Sequence, residues 1–275
     1  MKLGLQLYSV RENLEKDFLG TLKKVKEMGY EGGELAGIYG KTGEEVKAMF
    51  EEAGLNPISA HVSYQDLMVD IEETVKTYYT IGCKYIAIPY LPEDLRYGTE
   101  KYPEVVANIK KIGEACNKYG IELLYHNHDF EFAKTENGAY ALDELYSEVS
   151  ADLLKTEIDT CWVNVAGENP SEYVLKYTGR APVVHLKDFV GEKNKNMYKL
   201  IGIESEEQEA VNTFEYRPLG LGKQNIQQIV DAAKDAGALW IIAEQDEPSM
   251  AKSRLECAQL SIDYMKNIKY KWKQS

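Results

Sequence analysis

Two hydrophobic periods alternate along the chain. Short runs rich in aliphatic and β-branched residues are followed by stretches of roughly 10 to 15 residues whose apolar positions recur every three or four. The first pattern predicts strands over Leu3–Tyr8, Gly32–Leu35, Pro57–His61, Tyr85–Ile88, Ile121–His126, Lys155–Ile158, Pro182–Leu186 and Leu239–Ala243. The second predicts helices over Asp17–Met28, Gly43–Ala53, Asp70–Ile81, Tyr102–Tyr119, Tyr140–Val149, Pro170–Tyr177, Lys223–Ala236 and Ser249–Asn267. Gly29, Gly54, Gly82, Gly120, Gly179 and Gly237 fall just after helical runs, where a left-handed cap is needed. Strands alternating with helices imply a parallel sheet, and eight such units imply a closed (β/α)8 TIM barrel of the α/β class. An open doubly wound sheet would carry a glycine fingerprint after its first strand, and Leu7-Tyr8-Ser9-Val10-Arg11 has no glycine.

The units use nearly all of residues 1–275, so one barrel domain is expected rather than two domains. One connection is out of scale. Residues 189–222, after the seventh strand, form a loop far longer than the usual ~2–6 residues. Loops of that length are commonly lids or interaction segments. Its piece Gly202–Glu209 is acidic and expected to face solvent, whereas Phe214, Tyr216 and Arg217 are expected to shape the pocket.

Charge narrows the partners. The chain has 45 acidic and 32 basic residues, a net charge of -13. Nucleic acid and anionic lipid both select basic surfaces, so neither is expected as a partner. No apolar run reaches the ~20 residues that span a bilayer. The four cysteines, Cys83, Cys116, Cys161 and Cys257, are far apart and form no CxxC pair. They read as reduced, buried thiols in a cytoplasmic protein, with no signal peptide before the first strand.

In a barrel of this kind the active site forms at the C-terminal ends of the strands. All four histidines fall there: His61, His126, His128 and His185. Glu34, Asp159 and Glu244 end the second, sixth and eighth strands, and Glu131 follows the fifth. A mixed imidazole–carboxylate set suits one divalent ion: Mn²⁺, Co²⁺, Zn²⁺ or Fe²⁺, with Mg²⁺ if histidine contributes little. For Asp159 and Glu244 the competing explanation is an ion pair with Lys187 or Arg217. His61 and Glu34 read either as wall residues or as substrate ligands. Lys187 should turn into the mouth and Asp188 away. Trp162 and Phe130 suit either plain core or a sugar-binding face.

At these motifs the sequence resembles the sugar phosphate isomerase/epimerase superfamily, the xylose isomerase-like barrels. The resemblance is carried by Tyr125-His126-Asn127-His128-Asp129-Phe130-Glu131-Phe132, Ile158-Asp159-Thr160-Cys161-Trp162, Val184-His185-Leu186-Lys187-Asp188, Pro218-Leu219-Gly220-Leu221-Gly222 and Ile242-Ala243-Glu244-Gln245-Asp246. It implies one divalent metal held by Asp159, His185 and Glu244. Many members supply a fourth ligand from a glutamate where this chain has His126, so either His126 or Glu131 is expected to complete the set. Trp162 stands where many epimerases carry a substrate-contacting histidine.

The resulting expectation is a metal-dependent sugar isomerase or epimerase that abstracts a proton next to the carbonyl of a keto-sugar or related polyol. Glu244 with Glu131 or His128 would be the acid–base pair, and His61, Glu34, Trp162, Lys187 and Arg217 would bind substrate. The alternative is a lyase or dehydratase acting on an inosose or a 3-keto-glycoside. A phosphodiesterase of the endonuclease IV type fits less well, because it needs three zinc ions and a basic face. A non-catalytic sugar-binding subunit is a further class. A homo-oligomer is compatible with the sequence, which sets no subunit number.

Overall fold

The computed structural model describes residues 1–194, 197–198 and 213–269. Eight parallel strands close into a barrel: β1 (Lys2–Gln6), β2 (Gly32–Leu35), β3 (Asn56–His61), β4 (Tyr85–Ile88), β5 (Glu122–His126), β6 (Lys155–Asp159), β7 (Val183–Leu186) and β10 (Trp240–Ala243). The ring closes where β1 pairs with β10, with Leu3 opposite Ile241. All eight expected strands are present, within a few residues at their ends.

The larger helices follow the strands as the periodicity predicts: α2 (Phe18–Met28), α3 (Gly43–Ala53), α5 (Ile71–Ile81), α6 (Tyr102–Lys118), α7 (Ala141–Glu148), α9 (Pro170–Lys176), α10 (Ile226–Asp235) and α11 (Arg254–Asn267). Their starts are set by side-chain caps. Asp17 accepts from Gly20 N, and Thr42 with Glu45 and Ser253 with Glu256 form reciprocal capping boxes. Each satisfies backbone donors that the first helical turn leaves without partners. Short helices α1 (Arg11–Lys16), α4 (Tyr64–Val69) and α8 (Thr160–Val165) were not legible, because six residues give too few repeats of a 3.6-residue period.

The main core lies between the barrel and its helices, where Leu7, Leu22, Phe50, Ile109, Leu142 and Ile262 are fully or almost fully buried. A smaller apolar layer fills the barrel itself, with Ile58, Ala87, Leu124, Val183 and Ile242. Glycine at Gly4 makes room there: a Cβ would fall 2.4 Å from Ile58 Cδ1. Above this layer, towards the C-terminal ends, the interior becomes polar.

The first strand stops at Gln6 rather than Tyr8, because residues Leu7–Val10 turn into a 3₁₀ segment capped by the Gln6 side chain. The connection after β7 is not featureless. Strands β8 (Asp188–Val190) and β9 (Glu215–Arg217) pair antiparallel outside the barrel. The acidic piece Gly202–Glu209 lies outside the described residues. All four cysteines are free and buried. No helix among the described residues is long and apolar enough to cross a membrane.

Candidate active site

The parallel strands bring His126 (β5), Asp159 (β6), His185 (β7) and Glu244 (just past β10) to one mouth. Each offers a ligand atom, and those atoms lie within 4.8 Å of one another. All four residues are buried, and Asp159 and His185 fully so. Asp159 Oδ1 is held by the backbone N–H groups of Cys161 and Trp162, at 2.8 and 3.1 Å, at the start of α8. Its Oδ2 is buried without a hydrogen bond. Glu244 Oε2 lies 2.9 Å from His185 Nδ1.

The expected ion pair is present as well. Lys187 Nζ sits 3.3 Å from Asp159 Oδ2, 3.1 Å from Glu244 Oε2 and 3.0 Å from Asp246 Oδ2. Strand alternation turns it into the mouth, and its ammonium rests near the faces of Trp162 and Tyr216 at 5.7 and 5.6 Å. Asp188 points away and holds the loop instead.

A second polar layer lies beneath the first. Glu34 and Glu157 are fully buried, and His61 Nε2 bridges them, 3.2 Å from Glu34 Oε1 and 2.7 Å from Glu157 Oε2. Gln6 Nε2 donates to Glu34 Oε1 at 2.7 Å, and the Ser59 hydroxyl donates to Glu34 Oε2. His61, His126, Glu157 and His185 form a second group with metal-ligand spacing. Glu157 was missed in the sequence, although it precedes Asp159 by two and strand alternation puts both on the inner face.

Burial and neighbouring charge pull these groups apart. Burial alone would raise Glu244, but Lys187 and His185 outweigh it and hold its carboxyl well below the usual range. Burial likewise opposes charge on Lys187, yet Asp159, Asp246 and Glu244 keep the ammonium protonated, well above its usual value. Burial is the main cause that raises Asp159, and that pushes Asp246 to about 6 and Glu157 to about 7. His61 is raised to about 10 because Glu34 and Glu157 together overcome its burial. His126 and His128 are both driven well below the ordinary value, first by burial and then by neighbouring cations.

A cavity of about 690 Å³ opens over this mouth. Its lining includes His61, His126, His128, Lys187, Glu244 and Asp246, with Tyr8 and Tyr90 on its apolar side. His128 stacks on Phe130 with ring centroids 5.1 Å apart, and its Nδ1 has no hydrogen-bond partner. Arg96 covers the other part of Phe130, 3.5 Å from its ring centre.

Several expected residues lie elsewhere. Glu131 is buried, but Tyr125 Oη donates to one of its oxygens at 2.7 Å and His128 N to the other at 2.8 Å. It belongs to neither ligand group and does not line the cavity. Trp162 stands behind Lys187, stacked with Phe214, and Arg217 pairs with Glu215 on its own strand. Neither lines the cavity, and Glu34 lies below it. Asp246 and Asp66 line the cavity, and the sequence assigned neither a role.

A model of the xylose isomerase-like TIM barrel family matches residues 22–268. The chain belongs to that family. Among its relatives, the inosose dehydratase of Clostridium botulinum (strain Alaska E43 / Type E3) is 26% identical over 278 residues, covering 92% of this chain and 90% of the relative. The crystal structure of a sugar phosphate isomerase/epimerase from Parabacteroides distasonis superposes with a TM-score of 0.77 at 23% identity, covering 98% of this chain and 99% of that one. The crystal structure of IOLI protein, which holds a zinc atom, superposes at 0.71 with 15% identity, covering 96% of each. These matches establish the xylose isomerase-like barrel as the fold, and the inosose dehydratase and the isomerase/epimerase among them are enzymes.

Proposed function

We propose that this barrel is a divalent-metal-dependent enzyme that removes a proton next to the carbonyl of a keto-sugar or keto-polyol. The observation that carries this reading is the meeting of four buried ligand groups with a cavity that also presents His128, Lys187 and Asp246. The donor set fits an ion: two imidazoles and two carboxylates, with Asp159 Oδ2 buried and without a hydrogen bond. Three carboxylates, those of Asp159, Glu244 and Asp246, meet here around one lysine, which leaves the mouth receptive to a cation. A divalent metal held by His126, Asp159, His185 and Glu244 would polarise the substrate carbonyl and stabilise the charge that develops on its oxygen, worth several kcal/mol.

The chain's own groups supply the rest. His128 is the base. It lines the cavity, and its Nδ1 has no hydrogen-bond partner within the protein. The substrate C–H bond breaks, the proton passes to His128, and the electron pair enters a carbon–carbon double bond as the carbonyl becomes an enediolate. Lys187 donates to the oxygen of that enediolate. Glu244 is better suited to ligation than to proton transfer, because Lys187 and His185 hold it ionised. Asp246, raised towards neutrality, is the second proton carrier.

Return of the proton to carbon completes isomerisation or epimerisation. The dehydratase reading uses the same first step: the enediolate expels the β-hydroxyl, a carboxyl proton leaves with it as water, and an enone remains. The observation favouring dehydration is the full-length likeness to inosose dehydratase.

Incubation with keto-sugars, inososes and 3-keto-glycosides in deuterium oxide tests the common step. Deuterium should enter the carbon next to the carbonyl of one substrate class, and loss of water by mass would mark the dehydratase. Asp159→Asn and Glu244→Gln should reduce exchange at least 100-fold and weaken metal retention. Full exchange in protein stripped of metal with EDTA would sink the proposal.

A further inference from the structure

The two histidines of the ligand group each present one nitrogen to the mouth and the other to the layer beneath. His126 Nε2 lies 3.7 Å from Asp159 Oδ2, while its Nδ1 is 3.2 Å from Glu157 Oε2. His185 Nδ1 lies 2.9 Å from Glu244 Oε2, while its Nε2 is 2.7 Å from Glu34 Oε1. Both lower carboxylates are fully buried and are cross-linked by His61. The rings themselves are packed edge to face, with centroids 4.8 Å apart.

A neutral imidazole has one lone pair and one N–H. The upper and lower groups share His126 and His185, so both could hold ions together only if both rings lost their last N–H proton. The two groups are therefore alternatives, and whichever takes the lone pairs leaves N–H donors for the other. The side-chain contacts separate them. In the lower group His61 Nε2 is already hydrogen-bonded to Glu157 Oε2 at 2.7 Å, whereas in the upper group Asp159 Oδ2 has no hydrogen bond and Glu244 lines the cavity.

We propose that Glu34, His61 and Glu157 form a positioning layer that selects the metal-facing nitrogens: Nε2 of His126 and Nδ1 of His185. Glu157 accepts the N–H of His126 Nδ1. Glu34 is the acceptor beside His185 Nε2, its Oε1 2.7 Å away. His61 spans the two carboxylates and stops either from turning upward to ligate. Gln6 and Ser59 also hold Glu34, donating to Oε1 and Oε2 respectively. An acceptor behind a ligating imidazole fixes the ring and raises its basicity, and its loss typically weakens metal binding 10- to 100-fold.

This inference rests on the metal-dependent reading, and the experiment separates the two. The full chain, labelled with ¹⁵N-histidine and freed of metal, is titrated with zinc. The ring-nitrogen resonances are followed while a competing chelator reports affinity. Four histidines keep the spectrum simple, and His→Gln variants assign it. One zinc should bind per chain, through Nε2 of His126 and Nδ1 of His185. Glu157→Gln and Glu34→Gln should each weaken it by 10- to 100-fold. Zinc on the opposite nitrogens, two zinc ions per chain, or unchanged affinity in both glutamine variants would overturn the positioning layer while leaving a metal site. No zinc bound to the wild-type chain would overturn the metal-dependent reading and this inference with it. The wild-type spectrum alone reads the nitrogen choice, so the test survives a variant that does not fold.

Discussion

Lys187 is the residue on which the two explanations for Asp159 and Glu244 meet. Its ammonium touches both carboxylates and Asp246, so it neutralises the same groups that would hold a metal. Removing it has a sign that distinguishes the roles. In Lys187→Met the carboxylates lose a competing cation, so metal should bind about tenfold more tightly, which corresponds to ~1.4 kcal/mol. The metal-free variant should be less stable by roughly 3–5 kcal/mol, because buried charges lose their partner. Turnover should fall at least 100-fold. Titration with metal and thermal melts with and without EDTA check all three. Weaker metal binding would mean that Lys187 supports the ligands instead of opposing the ion.

Glu131 carries the clearest pH dependence outside the ligand group. Burial raises its carboxyl from 4.5 to about 7, against the hydrogen bonds from Tyr125 and His128. The folded chain therefore holds that proton more tightly than the unfolded chain. Its contribution is fully present below pH 4.5 and is lost as pH rises through about 7. The loss is on the order of 3 kcal/mol. Glu131→Gln cannot ionise, so the stability advantage of wild type over the variant should shrink between pH 5 and pH 8. Denaturant unfolding across that range measures it, and a constant difference would contradict the assignment.

At the scale of elements, the β8–β9 ribbon is fastened by one side chain. Asp188 accepts from the backbone N–H groups of Phe189 and Gln224, at 3.0 and 3.1 Å, and of Gly220 and Gly222, both at 3.0 Å. Gly222 permits the approach: a Cβ there would fall 2.1 Å from Asp188 Oδ1. Asp188→Ala strands these buried donors and should cost about 3 kcal/mol. The ribbon carries Phe214 and Tyr216, which back Trp162 and Lys187, so turnover should fall with it while metal affinity changes little. Sequence periodicity could not find this ribbon, because three-residue strands offer a single alternation and their partners lie far along the chain, as with Asp188 and Arg217, 29 residues apart. The alternation of Lys187 inward and Asp188 outward was legible, since it needs only the strand period.

For the molecule as a whole, the net charge of -13 is unevenly placed. Three of the acids converge at one barrel mouth, and a bound divalent cation would relieve their repulsion. Metal should therefore stabilise the fold. At a free concentration 1,000 times its Kd it contributes about 4 kcal/mol, which for a chain of this size raises Tm by roughly 10 °C. Differential scanning calorimetry with and without EDTA tests this, and identical melts would argue against a site in the folded state.

The sequence by itself determined the eight-stranded barrel, the order of its units and the strand ends where chemistry gathers. Those follow from period, caps and glycine punctuation, all of which are local along the chain. It also placed Asp159, His185 and Glu244 at one mouth with either His126 or Glu131, because parallel strands in one barrel all end at the same face. Tertiary structure decided the rest. Closure of the barrel set Glu157 under Asp159, turned Glu131 onto Tyr125, drew Asp246 to Lys187 and left Trp162 and Arg217 behind the cavity. Period two says which side of a strand a residue faces. Which inward neighbour it meets depends on the stagger of strands far apart in sequence, and that is fixed only when the ring closes.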